Sequence, residues 1–156
     1  MAFSSLAEID SYMKENTCEF WEAVIREEAR DSQQPEMDIV NRMTQMYRAM
    51  KEADEAYDDT LTSHSGLSGK NGKKMADYAA THKCMCGEFG GAVMARAIKM
   101  AESNACMKRI VAAPTAGSCG VVPAILITYE RMTNTSENDM VKALFVAAGI
   151  GDVIAR

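Results

Sequence analysis

The residues of this chain that are best suited to chemistry lie in one stretch, residues 109–129. A short apolar run ends at Pro114, a segment of small residues extends from Thr115 to Gly120, and the sequence is then strongly apolar as far as Tyr129. Pro123 stands where the first turn of a helix tolerates proline, because the missing N–H would have no helical partner there. The pattern predicts a loop of small residues that leads into a buried helix.

Such a loop could bind an anion. Free backbone N–H groups and the positive end of the helix dipole meet at the start of a helix, and both favour negative charge. Cys119 adds a thiol that could be a metal ligand or a nucleophile. The alternative is an ordinary tight turn in front of a core helix, and the spacing of the residues does not separate the two hypotheses.

The preceding sequence indicates helices that must position this loop. Ser5–Glu8 is a capping-box pattern that predicts a helix through Met13. A second helix is expected after Thr17, with an apolar stripe of Phe20, Trp21, Val24 and Ile25 and a solvent face of Glu22, Arg26, Glu27 and Arg30. Pro35 opens a third, along which apolar residues recur at helical spacing: Ile39, Met43, Met46, Met50, Ala53 and Tyr57.

Residues 58–74 form a polar, glycine-bearing stretch that predicts a surface loop, the kind of segment that often carries function. His64 lies in this stretch, where it could shuttle a proton or contact an anion, or simply be an exposed loop histidine.

The rest of the chain predicts further helices. They are expected at about Gly72–Cys84, at Ala92–Ala105 after a break at Glu88–Gly91, at about Ser118–Arg131, and from a Ser136 cap onward. In the helix at Ala92–Ala105, the inward residues are expected to be Val93, Ala97, Met100 and Ala101. No strand pattern competes. The sequence therefore predicts an all-α fold, a single helical domain of six or seven helices with a small-residue loop feeding a buried helix.

Composition excludes several classes of function. The 156 residues carry 17 basic and 22 acidic side chains, a net charge of -5 that argues against nucleic-acid binding. No apolar run has the length of a membrane span, and the start Met1–Leu6 lacks a secretory pattern, so a cytoplasmic protein is expected. Five cysteines without disulfide spacing are expected to be reduced. Cys18, Cys84 and Cys86 are interpreted as structural.

Three segments carry a resemblance to a known family: residues 104–124, Ser65–Gly69 and the closing residues 147–156. Together they strongly resemble the α-subunit, or α-domain, of the bacterial iron–sulfur-dependent L-serine dehydratases. The resemblance implies conversion of L-serine to pyruvate and ammonia, with a [4Fe–4S] cluster acting as Lewis acid in the complete enzyme and without pyridoxal phosphate.

The same resemblance implies a substrate site. The loop residues expected to bind the carboxylate of serine are Pro114, Thr115, Ala116, Gly117, Ser118, Cys119 and Gly120. A facing wall is expected from Ser65, Gly66, Ser68 and Gly69, with Lys70 as a further positive partner or a solvated lysine. The family's cluster-ligand cysteines map beyond residue 156, so no metal or cofactor is expected in this chain, and Cys119 is only a weak candidate ligand.

Residues 1–156 are accordingly expected to be a partial α-type domain, truncated at the C-terminus and inactive alone. The expected partners are L-serine, the β-subunit or β-domain, and further copies of the chain, associating through apolar surface around Val141, Leu144, Phe145 and Val153. A rival hypothesis is a non-catalytic helical binding or assembly module, in which the stretch 109–129 is a buried turn and helix. A third is a cysteine hydrolase that uses Cys119 and His64.

Overall fold

The computed structural model describes residues 3–155, which contain seven α-helices and no β-strand. The helices are α1 (Leu6–Asn16), α2 (Phe20–Ser32), α3 (Glu36–Glu55), α4 (Asn71–Ala79), α5 (Gly87–Ala105), α6 (Val121–Thr133) and α7 (Glu137–Ile154). The predicted all-α class is confirmed. None of these helices is long and apolar enough to cross a membrane. Met1, Ala2 and Arg156, which belong to the predicted N-terminal and closing segments, lie outside the described residues.

The helices form two compact units, Met1–Gln45 with Ser136–Arg156, and Met46–Thr135. α3 contributes its first half to one unit and its second half to the other. The prediction that these residues are one partial domain stays a prediction.

In the first unit, the Ser5 cap is confirmed, but the second bond of the predicted capping box is not formed. The Ser5 side chain accepts a hydrogen bond from the N–H of Glu8 at 3.2 Å, whereas the Glu8 carboxylate accepts from the N–H of Ser4 at 2.7 Å and not from that of Ser5. α2 packs against α7, and the two helices approach closely at Gly149. A Cβ at Gly149 would lie 2.6 Å from a methyl group of Val24 and 3.0 Å from the ring of Phe20.

Two expectations for this unit are wrong. Glu27 does not face water: it is 1% exposed and accepts a hydrogen bond from Arg30 at 2.5 Å. The apolar residues expected to lie exposed near the end of the chain are instead packed inside, because α7 buries Val141, Leu144 and Phe145, and Val153 packs on the cluster around Ile9. That surface therefore cannot drive association, and the expected homo-oligomer stays a prediction without it.

The second unit comprises the end of α3 with α4, α5 and α6. The buried face of α3 passes through Tyr47, Met50 and Ala53, whereas Met46 is 43% exposed. The expected methionine stripe is therefore one residue out of register at this turn. Tyr47, and not Met46, faces inward at this turn. Its ring is fully buried, and its hydroxyl donates a hydrogen bond to the carboxylate of Glu130 at 3.0 Å, so the hydroxyl is not buried without a partner.

α4 ends earlier than expected, at Ala79, and α5 begins earlier, at Gly87, so that Glu88–Gly91 is helical and not a break. The reason is close packing between these helices: a Cβ at Gly91 would lie 3.0 Å from the Cβ of Ala79 and 3.2 Å from the sulfur of Cys84. On α5 the inward face also differs from the expectation. Ala101 is exposed, and the polar residues Glu102 and Ser103 are buried.

α6 begins at Val121 and not at Ser118, with Pro123 within its first turn as the sequence predicted. Pro123, Ala124, Ile127 and Thr128 form its buried face. The small residues before Val121 are therefore a loop, which runs from residue 106 to residue 120 and is called the 106–120 loop below.

Candidate functional site

The end of the 106–120 loop is fixed by packing on its neighbours. Cys119 is 3% exposed and lies in an apolar cluster with Ala53 and Met100, against which Ile110 packs. Gly120 is buried so close to α5 that an added Cβ would lie 2.7 Å from the carbonyl oxygen of Ala97. The thiol and the glycine thus hold the base of the loop in place.

The tip of the loop is exposed to solvent and polar. Thr115, Ala116 and Gly117 are exposed, and Ser118 is half-buried. The hydroxyl oxygens of Thr115 and Ser118 lie 2.9 Å apart, and the N–H of Ser118 donates to the Thr115 hydroxyl at 3.3 Å. Among the described residues, the N–H groups of Thr115, Ala116 and Gly117 have no hydrogen-bond partner. The tip therefore carries two hydroxyls and three free N–H groups.

The expectation of free N–H groups at the start of α6 itself is wrong. The N–H of Val121 donates to the carbonyl of Ser118, and that of Val122 donates to the carbonyl of Ala113, both at 3.1 Å. Pro123 has no N–H, and Ala124 donates to the carbonyl of Gly120 at 3.0 Å. Any backbone donors that an anion could use therefore lie in the loop tip and not in the first turn of α6.

Pro114 stands where the loop turns outward. Its peptide bond with Ala113 is cis, and the proline is exposed. Ala113 pairs on both sides of its backbone, donating to the carbonyl of Cys119 at 3.3 Å and accepting from Val122 at 3.1 Å. These bonds close the loop into a compact turn between its exposed tip and α6.

The second predicted segment lies in the loop between α3 and α4, called the 56–70 loop below. Its centre is Ser63, which is buried and forms two hydrogen bonds with Ser68. The N–H of Ser63 donates to the carbonyl of Ser68 at 2.8 Å, and the hydroxyl oxygen of Ser63 accepts from the N–H of Ser68 at 3.1 Å. The Ser63 hydroxyl also lies 3.1 Å from that of Ser65. Gly66 has a φ of 74°, and Gly69 has a φ of 148° with no room for a side chain, since a Cβ would lie 2.6 Å from the carbonyl of Leu61.

Both ends of the 56–70 loop meet one buried carboxylate on α5. The Tyr57 hydroxyl donates to Oε2 of Glu102 at 2.8 Å. The N–H of Asn71 donates to Oε1 at 2.7 Å, and the N–H of Gly72 donates to Oε2 at 3.0 Å. Glu102 is 4% exposed. Its negative charge lies at the N-terminus of α4, where the helix dipole stabilises it.

These contacts shift the pKa values of both side chains. Burial is the largest single effect on Glu102 and raises its pKa, but the hydrogen bonds from Tyr57 and from two backbone N–H groups together outweigh it, so the pKa is lowered. Burial and the hydrogen bond to the Glu102 carboxylate raise the pKa of Tyr57 to about 12. At neutral pH the pair is therefore a carboxylate that accepts from a neutral phenol.

α5 thus carries both predicted segments, since the 106–120 loop packs on Ala97 and Met100 and α4 begins against Glu102. Within the described residues, however, no hydrogen bond joins Ser65–Gly69 to Pro114–Gly120. That Ser65, Gly66, Ser68 and Gly69 form a facing wall stays a prediction. Lys70 is exposed.

Two of the alternatives lack geometric support. The cysteine hydrolase would need an accessible thiol, but the Cys119 side chain is packed in the core while His64 is exposed. The helical binding module predicts a buried turn, but the tip at Thr115–Gly117 is exposed. Across residues 3–155, no three His, Cys, Asp or Glu side chains are grouped so that they could hold a metal ion.

Sequence reasoning assigned no role to the Tyr57 hydroxyl, to Ser63 or to Glu102. The inward face expected for α5 did not include Glu102, whereas the structure buries it on the same face as Ala95. A carboxylate at a core position needs partners. The sequence does not reveal that those partners come from the two ends of a distant loop.

The chain is similar to known proteins along nearly its whole length. A family model, described as the serine dehydratase alpha chain, matches residues 15–156. The probable L-serine dehydratase alpha chain of Bacillus subtilis is 29% identical over 154 residues, which are 99% of this chain and 51% of the relative. The L-serine dehydratase alpha chain of Peptoniphilus asaccharolyticus is 29% identical over 151 residues, 96% of this chain and 51% of that one.

A shorter match is to L-serine dehydratase 1 of Escherichia coli, 42% identical over 53 residues, which are 34% of this chain and 12% of the relative. The chain therefore spans about half the length of the alpha chains that it matches. No solved structure gives a significant match.

Proposed function

Because this chain belongs to the serine dehydratase alpha chain family, we propose that it forms part of an L-serine dehydratase and that its 106–120 loop binds the carboxylate of L-serine. The relatives of known name are L-serine dehydratase chains. The observation that carries the proposal is the loop tip, which carries two hydroxyls and three free N–H groups on a base fixed by packing.

A carboxylate suits this arrangement of donors. It is an acceptor with two oxygens, and hydrogen bonds to a charged group are stronger than those between neutral groups. The free N–H groups and the hydroxyls of Thr115 and Ser118 are all donors that require no change of protonation, and both hydroxyls can donate to a ligand once the bond between them opens. Together they could hold the substrate carboxylate in one orientation without a charged side chain.

Orientation is what the reaction requires of this part of the protein. L-Serine loses a proton from Cα and hydroxide from Cβ to give aminoacrylate and water. The aminoacrylate then takes up water and releases ammonia, which leaves pyruvate. A fixed carboxylate presents the Cα–H and the Cβ–O bonds to whatever groups remove the proton and the hydroxide, and such positioning lowers the barrier. Within this chain we assign binding and orientation to the loop, and no catalytic base.

The [4Fe–4S] cluster implied by the resemblance remains part of the proposal, and pyridoxal phosphate remains excluded from it. Iron–sulfur clusters are held by cysteine thiolates, and residues 3–155 do not bring three such ligands together. These residues alone therefore do not fit a cluster. We propose that its ligands come from another part of the complete protein, and that the present chain alone is inactive.

The partners belong to the same proposal. They are L-serine as substrate and a β-subunit or β-domain, since the relatives are named as alpha chains. A cytoplasmic location is proposed as well, because reducing conditions there suit five cysteines that are all unpaired.

The proposal is tested with the complete protein and its β-partner, reconstituted anaerobically with iron and sulfide. Pyruvate formed from L-serine is then measured. We expect turnover of L-serine and none of L-alanine, which has no hydroxyl to lose. A well-folded, reconstituted complex that releases no pyruvate from L-serine would refute the proposed function.

A further inference from the structure

We propose that Glu102 is a positioning residue that sets the conformation of the 56–70 loop by holding both of its ends. The role of Glu102 in the loop rests on the hydrogen bonds of this one buried side chain. Its role in substrate binding rests on the proposed function, because the Ser65–Gly69 segment of the loop is the predicted second wall of the serine site.

The two ends of the loop bond to the two oxygens of a single carboxylate. Tyr57, near the start of the loop, reaches Oε2, while Asn71 and Gly72, just after its end, reach Oε1 and Oε2. The three donor–acceptor distances lie between 2.7 and 3.0 Å. Holding both ends with one group removes the freedom that a polar loop of this length would otherwise keep.

The surrounding packing keeps this carboxylate in place. A Cβ at Gly72 would lie 2.6 Å from Cγ of Lys99, so α4 begins in direct contact with α5 one turn before Glu102. The ammonium of Lys99 lies 5.3 Å from the centre of the Tyr57 ring, a cation–π contact between this ring and α5. The carboxylate, the phenol and the helix start therefore form one small cluster on α5.

Inside the loop, the hydrogen bonds around Ser63 fix the backbone. A Cβ added at Gly66 would meet no atom within 4 Å, and Leu67 is 88% exposed. The tip at these two residues is therefore open to solvent, and its placement depends on Ser63 within the loop and on Glu102 at its ends. If the ends separate, the Ser65–Gly69 backbone loses its fixed position.

A glutamine cannot replace this carboxylate fully. Its amide offers one acceptor oxygen and one NH2 donor, so at least one of the two α4 N–H groups would face a donor. The Glu102→Gln substitution also removes the negative charge from the N-terminus of α4. The matched control is Glu130→Gln in the same unit, because Glu130 also accepts from a tyrosine hydroxyl, that of Tyr47, but holds no end of the loop.

The first measurement is hydrogen–deuterium exchange of the complete protein, resolved by peptide. In Glu102→Gln we expect exchange in the 56–70 loop and at the start of α4 to become about tenfold faster, with α6 unchanged. Glu130→Gln should leave the loop at the wild-type rate. Unchanged loop exchange in Glu102→Gln, or an equal rise throughout the second unit, would overturn the proposal.

If Glu102→Gln does not fold, Tyr57→Phe decides. It removes the hydroxyl that donates to Glu102 and accepts from the N–H of Lys73, and it leaves the bonds from Asn71 and Gly72 to the carboxylate in place. We expect about threefold faster exchange in the loop, and an unchanged rate would refute the positioning role.

The second measurement links the loop to serine. In the reconstituted enzyme, Glu102→Gln should raise KM for L-serine about tenfold while kcat falls less than about threefold, and Glu130→Gln should change neither. Faster loop exchange with an unchanged KM would refute a role of Glu102 in substrate binding. If the wild-type enzyme does not turn over serine, the proposed function fails, but the exchange experiment still decides whether Glu102 positions the loop.

Discussion

Two glycines of the 106–120 loop have opposite surroundings, and substituting each by alanine separates packing from ligand contact. At Gly120 an added Cβ would lie 2.7 Å from the carbonyl oxygen of Ala97, 2.9 Å from Cβ of Met100 and 3.0 Å from Cα of Ala97. At Gly117 the same atom would meet only the Thr115 hydroxyl, at 4.0 Å. Alanine suits the backbone of Gly120, whose φ is -95°, so the effect there is steric.

The magnitude follows from these distances. Two of the three contacts at Gly120 are with backbone atoms, which cannot turn away, so α5 and α6 must move apart by several tenths of an ångström. Overpacking of this kind costs about 1–3 kcal/mol. In a chain of this length each kcal/mol lowers Tm by about 2–4 °C. Gly117→Ala should change the free energy of unfolding by less than about 0.5 kcal/mol, since the site is open.

The assay is urea unfolding followed by far-UV circular dichroism, together with KM for L-serine in the complete enzyme. Gly120→Ala should lose stability, whereas Gly117→Ala should keep its stability and raise KM, because a methyl group beside the free N–H groups obstructs the carboxylate. Wild-type stability in Gly120→Ala would refute the packing of the loop base on α5. An unchanged KM in Gly117→Ala would refute contact between the loop tip and substrate.

Three further predictions concern other residues of the second unit. Asp54→Asn should lower the free energy of unfolding by about 1–3 kcal/mol, because the buried carboxylate of Asp54 pairs with Arg96 at 3.1 Å and with Arg131 at 3.5 Å. The control Glu55→Gln, which removes an exposed ion pair, should lower it by less than about 1 kcal/mol, and equal losses in urea unfolding would contradict this. Cys119→Ser should lower the free energy of unfolding by about 1–3 kcal/mol, because it places a hydroxyl among apolar side chains, and urea unfolding measures this loss. Loss of the iron–sulfur absorbance of the reconstituted enzyme in this variant would instead make the thiol a ligand. The pKa of Tyr57 is raised from 10.0 to about 12, so the contribution of its hydrogen bond to stability is complete below pH 10 and is lost as the pH rises toward 12. The difference in stability between wild type and Tyr57→Phe should therefore become smaller from pH 10 to pH 12. A constant difference in thermal unfolding would count against the Tyr57–Glu102 bond.

Local patterns of the sequence predicted much of the fold. The Ser5 and Ser136 caps, the helix after Pro35 and the position of Pro123 depend on residues within one or two turns, and each is present in the structure. The errors arose where distant residues decide. In the sequence, the glycines of Glu88–Gly91 are typical of a helix break. In the structure, α4 packs against this segment, and Gly91 is favoured within the helix because a side chain there would clash with Ala79.

The candidate site was predictable in part for the same reason. The small residues of Thr115–Gly120 mark a loop by composition alone. The loop folds back onto Ala113, and this contact decides which N–H groups are bonded. The first N–H groups of α6 have partners, whereas the free ones lie at Thr115, Ala116 and Gly117. The role of Glu102 depends on contacts with Tyr57 and Asn71, which are tens of residues away along the chain. No local pattern encodes such contacts.

We propose above that the tip of the 106–120 loop binds the carboxylate of L-serine. The most direct test compares KM and kcat for L-serine in the reconstituted complete enzyme, between wild type and the double variant Thr115→Ala/Ser118→Ala, with unfolding measured on both. Each lost hydrogen bond to a charged group weakens binding by about 1–2 kcal/mol, so we predict that KM rises about 30- to 1,000-fold while stability changes little. A double variant that folds normally and keeps the wild-type KM would contradict the account.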